Sequence, residues 1–248
     1  MYINTTGLVL RETKYKDSSK ILTVLTESDG KLTVSARGAL RKGSKLMAAT
    51  QCLAYSEMTL SSNRDRWTMT EARPIETFAG LSEEVTALAL ASYFAELVEA
   101  VADEDMQSPE LLSLALNALF VLSEGKREEK LVKPAFETRL MCLAGFEPQL
   151  QGCSVCGKGQ PEEPLLDLAG GVVYCKNCGF TREGVIKLCA GSLNALRHIV
   201  SAEPKKIYSF KVSEASGERL VRAAEAYTLT HLDRRFGTLE FYKSLKHR

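Results

Sequence analysis

Histidine is scarce in this 248-residue chain: His198, His231 and His247 are the whole supply, and all fall in the last quarter. Each reads as a surface or helix-end residue, so chemistry that turns on a histidine base has little to work with. No G-x-x-x-x-G-K run is present to cradle a nucleotide triphosphate, and nothing points to ATP. The acidic pairs Glu83-Glu84, Glu128-Glu129 and Glu162-Glu163 lie at expected helix starts or in a loop, where dipole complementarity or solvation accounts for them. No enzyme is expected. No apolar run approaches the roughly 20 residues needed to cross a bilayer, and the stretch from Met1 to Thr6 lacks a charged segment leading into an apolar one. The expectation is therefore a cytoplasmic protein with no membrane partner. There is also no internal repeat and no low-complexity tract.

What is present is ordinary globular material, 45% hydrophobic and 25% charged, enough for one large domain or two to three small ones. The net charge of +1 conceals a partition. Residues 1 to 80 hold 12 basic and 8 acidic side chains, residues 81 to 150 hold 5 and 13, and residues 151 to 248 hold 15 and 10. Two basic ends flank an acidic middle, which suits nucleic-acid contact by the ends but also a plain solvated surface.

The sharpest motif is cysteine spacing. Cys153-Ser154-Val155-Cys156-Gly157 and Cys175-Lys176-Asn177-Cys178-Gly179 share one form, two cysteines three apart and then glycine, with 18 residues between the pairs. In such a knuckle a tight turn aims both thiolates at one ion, and the spacing fits a four-thiolate zinc site. Four protein ligands would fill the tetrahedron and leave no position for water, so the expected zinc is structural. Redox chemistry at the paired cysteines is the competing reading. Cys189 reads as a core thiol rather than a ligand, and Cys52 and Cys142 as small buried hydrophobes.

The first 80 residues read as strands: Gly7 to Arg11, Ile21 to Thr26, Leu32 to Ala36, Leu53 to Leu60 and Trp67 to Glu71. Asp29-Gly30 is a hairpin signal. Five short strands in about 75 residues fit an OB-type β-barrel, with an SH3-like barrel as the alternative. From Ser82 the period becomes helical, with Ser82-Glu83-Glu84 as the expected cap. A second helix opens at Ser108-Pro109, and a third runs from about Glu128 to Leu143, where Pro134 predicts a kink or a later start. Further capped helices are expected over Ser192 to Val200 and Ser213 to Arg235. The expected fold is α+β and multidomain. A barrel spans residues 1–80, and a helical bundle spans 81–248, interrupted by a zinc-ribbon-like insert at 152–180. Glu162 to Leu168 has no assigned partner.

Cations gather on the barrel strands and loops: Arg11, Lys14, Lys16, Lys20, Arg37, Arg41, Lys42 and Lys45, with Arg64, Arg66 and Trp67 from the last hairpin. A positive groove with rings on which bases stack is what single-strand binding needs. Tyr15, Tyr55 and Trp67 are the candidate rings, though each suits a barrel core as well.

The run Gly7-Leu-Val-Leu-Arg, Lys20-Ile-Leu-Thr-Val-Leu-Thr, Asp29-Gly-Lys-Leu and Ala36-Arg37-Gly38-Ala39 resembles the bacterial RecO family. So do the order of parts and the closing segment Leu232-Asp233-Arg234-Arg235 with Leu239-Glu240-Phe241. Pro134, and Asp233 where such helices often have glycine, depart from the family. The resemblance implies a non-catalytic DNA repair and recombination mediator of the RecFOR pathway, associated with the bacterial nucleoid. Such proteins bind single- and double-stranded DNA, anneal complementary strands, and pair with RecR to help RecA load onto DNA coated by single-strand DNA-binding protein (SSB). They also dock the acidic C-terminal tail of SSB on the helical domain, for which Lys130, Lys133, Phe136, Arg139 and Leu140 are the candidates. Arg234 and Arg235 suit either DNA or a helix C-terminus. A protein-interaction adaptor without DNA binding is the alternative. A zinc-ribbon nuclease or ligase fragment is disfavoured by the missing motifs.

Overall fold

The computed structural model describes residues 1–64, 66–104, 106–179 and 183–246. In chain order the elements are β1 (Tyr2–Tyr15), β2 (Ser19–Thr26), β3 (Lys31–Ala36), β4 (Tyr55–Asn63), β5 (Arg66–Glu76), α1 (Val85–Val101), α2 (Pro109–Ser123) and α3 (Glu129–Leu143). They continue with β6 (Gln149–Cys153), β7 (Leu165–Asp167), β8 (Val172–Tyr174), α4 (Lys176–Gly179), β9 (Val185–Lys187), α5 (Ala190–Ser201), α6 (Glu214–Leu232) and α7 (Gly237–Lys246). Divided by compactness rather than by element type, the chain forms two units: Met1–Gly125 with Phe236–Arg248, and Lys126–Arg235.

In the first unit, β1 to β5 close into a barrel in the order β1-β2-β3-β5-β4. Closure comes from a parallel pairing of β3 with β5, Val34 opposite Trp67 and Ser35 opposite Thr68, and an antiparallel pairing of β1 with β4. That order is the OB arrangement and sets aside the SH3-like alternative. Alternation fills the interior: Leu22 and Val24 of β2, Leu32, Val34 and Ala36 of β3, and Met58 and Leu60 of β4 point inward as successive side chains change face. The strands run longer than their apolar centres suggest. β1 continues through Glu12-Thr13-Lys14-Tyr15, paired with β2 down to Tyr15 opposite Ser19, because a backbone ladder needs no apolar side chains. The Asp29-Gly30 turn is as expected; Gly30 has φ +66°, and any Cβ there would strike the Met106 backbone.

Ser82 does not cap α1. It ends a 3-10 turn over Ala79–Ser82, and Glu84 holds the N-cap position without a side-chain bond. α7 returns to this unit through Phe236, whose ring lies edge-on to Tyr93 at 5.8 Å. Glu96 accepts the Thr238 N–H at 3.3 Å and so places a carboxylate at the positive end of α7.

In the second unit α3 packs on α5 and α6. α3 begins at Glu129 and runs through Pro134, so the helix does not start after the proline. Asp233 takes the left-handed conformation, φ 45° and ψ 41°, that ends α6, which is the geometry a glycine would otherwise supply. α5 begins earlier than expected, with Cys189 as N-cap and Ser192 inside the first turn. The remaining strands form a four-stranded sheet ordered β6-β8-β7-β9. β7 takes up three of the seven residues that the sequence left without a partner, pairing with β8 on one side and β9 on the other.

Candidate metal centre and nucleic-acid interface

The sheet of the second unit brings Cys153 from the end of β6, Cys156 from the turn after it, Cys175 after β8 and Cys178 from α4 to one point. Their sulfur atoms all lie within 4.8 Å of one another. Cys156 and Cys175 are 3.9 Å apart. Tetrahedral bonds of about 2.3 Å to a common ion would set sulfurs about 3.8 Å apart, so the donor set fits. Glycine makes both turns possible. Gly157 has φ +73° and donates its N–H to the Cys153 carbonyl at 2.8 Å, while a Cβ on Gly179 would strike Leu165 and Tyr174.

The four thiols are not equivalent. Burial raises the Cys153 thiol, but the N–H groups of Cys156, Cys175 and Val155 more than offset this and bring it to about 6. A hydrogen bond to Cys175, together with burial and the other sulfurs, pushes Cys178 up to about 12. Cys153 is thus favoured as a thiolate and Cys178 as a thiol, an unequal sharing of charge among crowded sulfurs.

Of the other cysteines, Cys52 is exposed and Cys142 only half-buried, which corrects the expectation that both are core residues. Cys189 is half-buried, and its sulfur lies 3.3 Å from the Ser216 hydroxyl, away from the four-cysteine cluster. His198 meets the Lys206 carbonyl at 2.9 Å, and His231 is packed between the Tyr227 and Phe146 rings. His247 lies outside the described residues.

On the barrel a groove of about 700 Å³ crosses the outer face of β2 and β3. It is lined by Tyr15 and Lys16 from the β1–β2 turn, Arg37, Gly38 and Arg41 from the turn after β3, and Arg66, Trp67 and Thr68 from the start of β5. Among the described residues four cations and no carboxylate line it. Tyr15 is 48% exposed, and the Lys16 ammonium stands 5.3 Å from its ring centroid. Trp67 is half-buried, packed at one side against the barrel core. Ser19, Ile21, Thr33 and Ser35 complete the lining. Sequence reading did not single these out, although Thr33 and Ser35 alternate with the inward Leu32, Val34 and Ala36 and must therefore face out.

The remaining candidates on the barrel separate. Lys14, Lys42, Lys45 and Arg64 are exposed but stand outside the groove lining. Arg11 is turned to Glu99 at 2.8 Å. Lys20 must be corrected as a DNA contact: it is buried, 2.6 Å from Glu12 and donating to the Thr50 carbonyl at 3.1 Å.

The expected tail pocket on α3 must also be corrected. Phe136 and Leu140 are fully buried, and Lys133 is 2% exposed, clamped by Glu137 at 2.7 Å and Glu225 at 2.8 Å. Arg139 donates to the carbonyls of Val200 and Ala202. These four residues hold the helices together instead of lining a cavity. Lys130 alone is exposed, paired with Glu128 at 3.0 Å. It lies at a cleft of about 660 Å³ that also takes in Leu131, Val212, Val221 and Arg222.

An OB barrel joined to helices that carry a four-cysteine sheet defines the class of protein. Residues 1–78 match the family model described as Recombination protein O N terminal, and residues 82–240 the one described as Recombination protein O C terminal. The protein named DNA repair protein RecO of Acetivibrio thermocellus is 30% identical over 244 residues, covering 98% of this chain and 97% of its own. Its namesakes in Symbiobacterium thermophilum and Alkaliphilus metalliredigens are each 30% identical as well, over 98% and 99% of this chain and 97% and 100% of their own lengths. The chain belongs to the RecO family of DNA repair proteins.

Proposed function

We propose that the protein is a recombination mediator that acts without catalysis. It binds single- and double-stranded DNA along the barrel groove, anneals complementary strands, and works with RecR to load RecA onto SSB-coated DNA. The observation that carries this reading is the groove lined by Lys16, Arg37, Arg41 and Arg66 beside the Tyr15 and Trp67 rings, with no carboxylate among its described residues. Cations there neutralise backbone phosphates and release their counterions, while the rings offer stacking worth about 1–3 kcal/mol per base. Neutralising one strand lowers its repulsion for a second, which is the physical basis of annealing. The OB fold supports this placement, since the β2–β3 face and its flanking loops are where such barrels take oligonucleotides.

The four cysteines hold zinc, as thiolate sets of this spacing do, and the ion's role is structural because all four positions are filled by protein. The acidic tail of SSB docks on the second unit away from the Lys130 cleft, where Glu128, Glu214 and Glu218 outnumber Lys130 and Arg222 and would repel it. The deciding experiment is annealing of complementary strands coated with SSB, with and without the protein. Acceleration is expected; no acceleration would refute the mediator reading, and capture of SSB without DNA binding would make the protein an adaptor.

A further inference from the structure

The second unit carries a smaller pocket, of about 450 Å³, where the four-cysteine sheet meets α6. Its apolar wall is Leu165, Val185 and Leu188, and among the described residues its rim carries Lys176, Lys187 and Arg219 against a single carboxylate, Glu163. None of the four cysteines lines it. The rim differs from the cleft beside α3, where Glu128, Glu214 and Glu218 outnumber Lys130 and Arg222.

From this pocket we infer a second nucleic-acid site, one that takes a nucleotide of a DNA strand with its base against the apolar wall and its phosphates on the three cations. The inference deepens the annealing reading and rests on it. A protein that brings two strands together needs a second phosphate-neutralising surface, and a base with its backbone matches an apolar wall under a cationic rim. The rim is built to keep its charge in place. The Arg219 guanidinium donates to the Leu188 carbonyl at 3.1 Å, which fixes its plane at the pocket edge while its positive charge persists. Lys176 meets Glu163 at 2.6 Å, but both side chains are more than half exposed, a pairing weak enough in water for a phosphate to displace. Lys187 stands exposed on the edge strand β9, beside Leu188. Gly179 keeps that wall open, since a Cβ there would push into Leu165.

The test counts strands. An oligothymidylate of about eight nucleotides, within the usual reach of one such site, is titrated at low salt into four full-length, zinc-loaded proteins. These are the wild type, Lys187→Glu, the barrel variant Arg37→Glu/Arg41→Glu/Arg66→Glu, and the combination. Two oligonucleotides per wild-type chain are expected, one for each parent variant and none for the combination, with melting temperature and zinc content unchanged by Lys187→Glu. Stoichiometry unchanged by Lys187→Glu overturns the second site, whatever the barrel variant does. Stoichiometry unchanged by the barrel variant overturns the barrel reading and leaves the second site standing. An oligoglutamate peptide that displaces the second oligonucleotide at equal concentration would also overturn it, since the pocket would then favour an acidic peptide.

Discussion

The barrel groove and the face of α3 look alike as sequence, each a set of lysines and arginines beside aromatic or apolar residues, yet the structure uses them in opposite ways. In the groove Lys16, Arg37, Arg41 and Arg66 surround open space. On α3, Lys133 and Arg139 are committed to Glu137, Glu225 and the carbonyls of Val200 and Ala202. The difference is one of periodicity. Loop cations and the first residue of a strand owe nothing to a core. Lys133, by contrast, precedes Phe136 by three positions and Leu140 by seven, so it shares their helix face and goes inward with them. A cation on an apolar stripe is recruited by the fold before any ligand can use it, provided carboxylates follow it inside. Glu137, one turn later on the same face, does so.

The contrast predicts that changes at the four cysteines and at the buried cluster on α3 damage the fold, whereas changes in the groove damage only binding. The largest effect is expected at the metal centre. Cys175→Ser removes one of four donors, and because metal affinity there is folding energy, zinc should be lost and the sheet should unfold. Zinc analysis with circular dichroism checks this. A variant that stays folded without metal would contradict a structural role for the ion.

Next is the buried ion cluster. Glu137→Gln leaves Lys133 with part of its compensation, and breaking such a pair costs about 3–5 kcal/mol, readable as a fall in denaturation midpoint. The same cluster has a pH signature. Burial opposes the Lys133 charge, but Glu137 and Glu225 outweigh it and hold the ammonium above its ordinary value of 10.5. A base raised on folding contributes stability that is fully present below its unfolded value and fades as pH climbs through the folded one. Glu137→Gln should move that loss to lower pH. The smallest effect on stability belongs to the groove, where reversing Arg37, Arg41 and Arg66 should leave the midpoint within about 0.5 kcal/mol, as for other exposed substitutions.

Much of the architecture was legible in the chain. Cysteine spacing alone located the four-sulfur cluster, because a knuckle's geometry is local and its glycines declare the turns. The barrel was legible from β-branched runs and the Asp29-Gly30 turn, and its closure by the short Val34–Trp67 pairing followed only from structure. The polar ends of β1 and β5 escaped notice because ladder bonding leaves no mark in side-chain polarity. So did β7, whose three residues Leu165–Asp167 are too few to show a period. Five of the eleven expected DNA contacts, Lys16, Arg37, Arg41, Arg66 and Trp67, line the groove. Exposure of Arg37 and Arg41 follows from their loop, but the burial of Lys20 depends on Glu12 of the neighbouring strand, a pairing that register alone creates.

The central claim, that the groove cations hold single strands, is met most directly by the salt dependence of oligonucleotide affinity. Each single-strand phosphate contact contributes about −0.7 to the slope of log affinity against log salt, so four cations predict a slope of about −3. Arg37→Glu/Arg41→Glu/Arg66→Glu should flatten it by about two. A wild-type slope near zero, or a variant with the wild-type slope, would contradict the account.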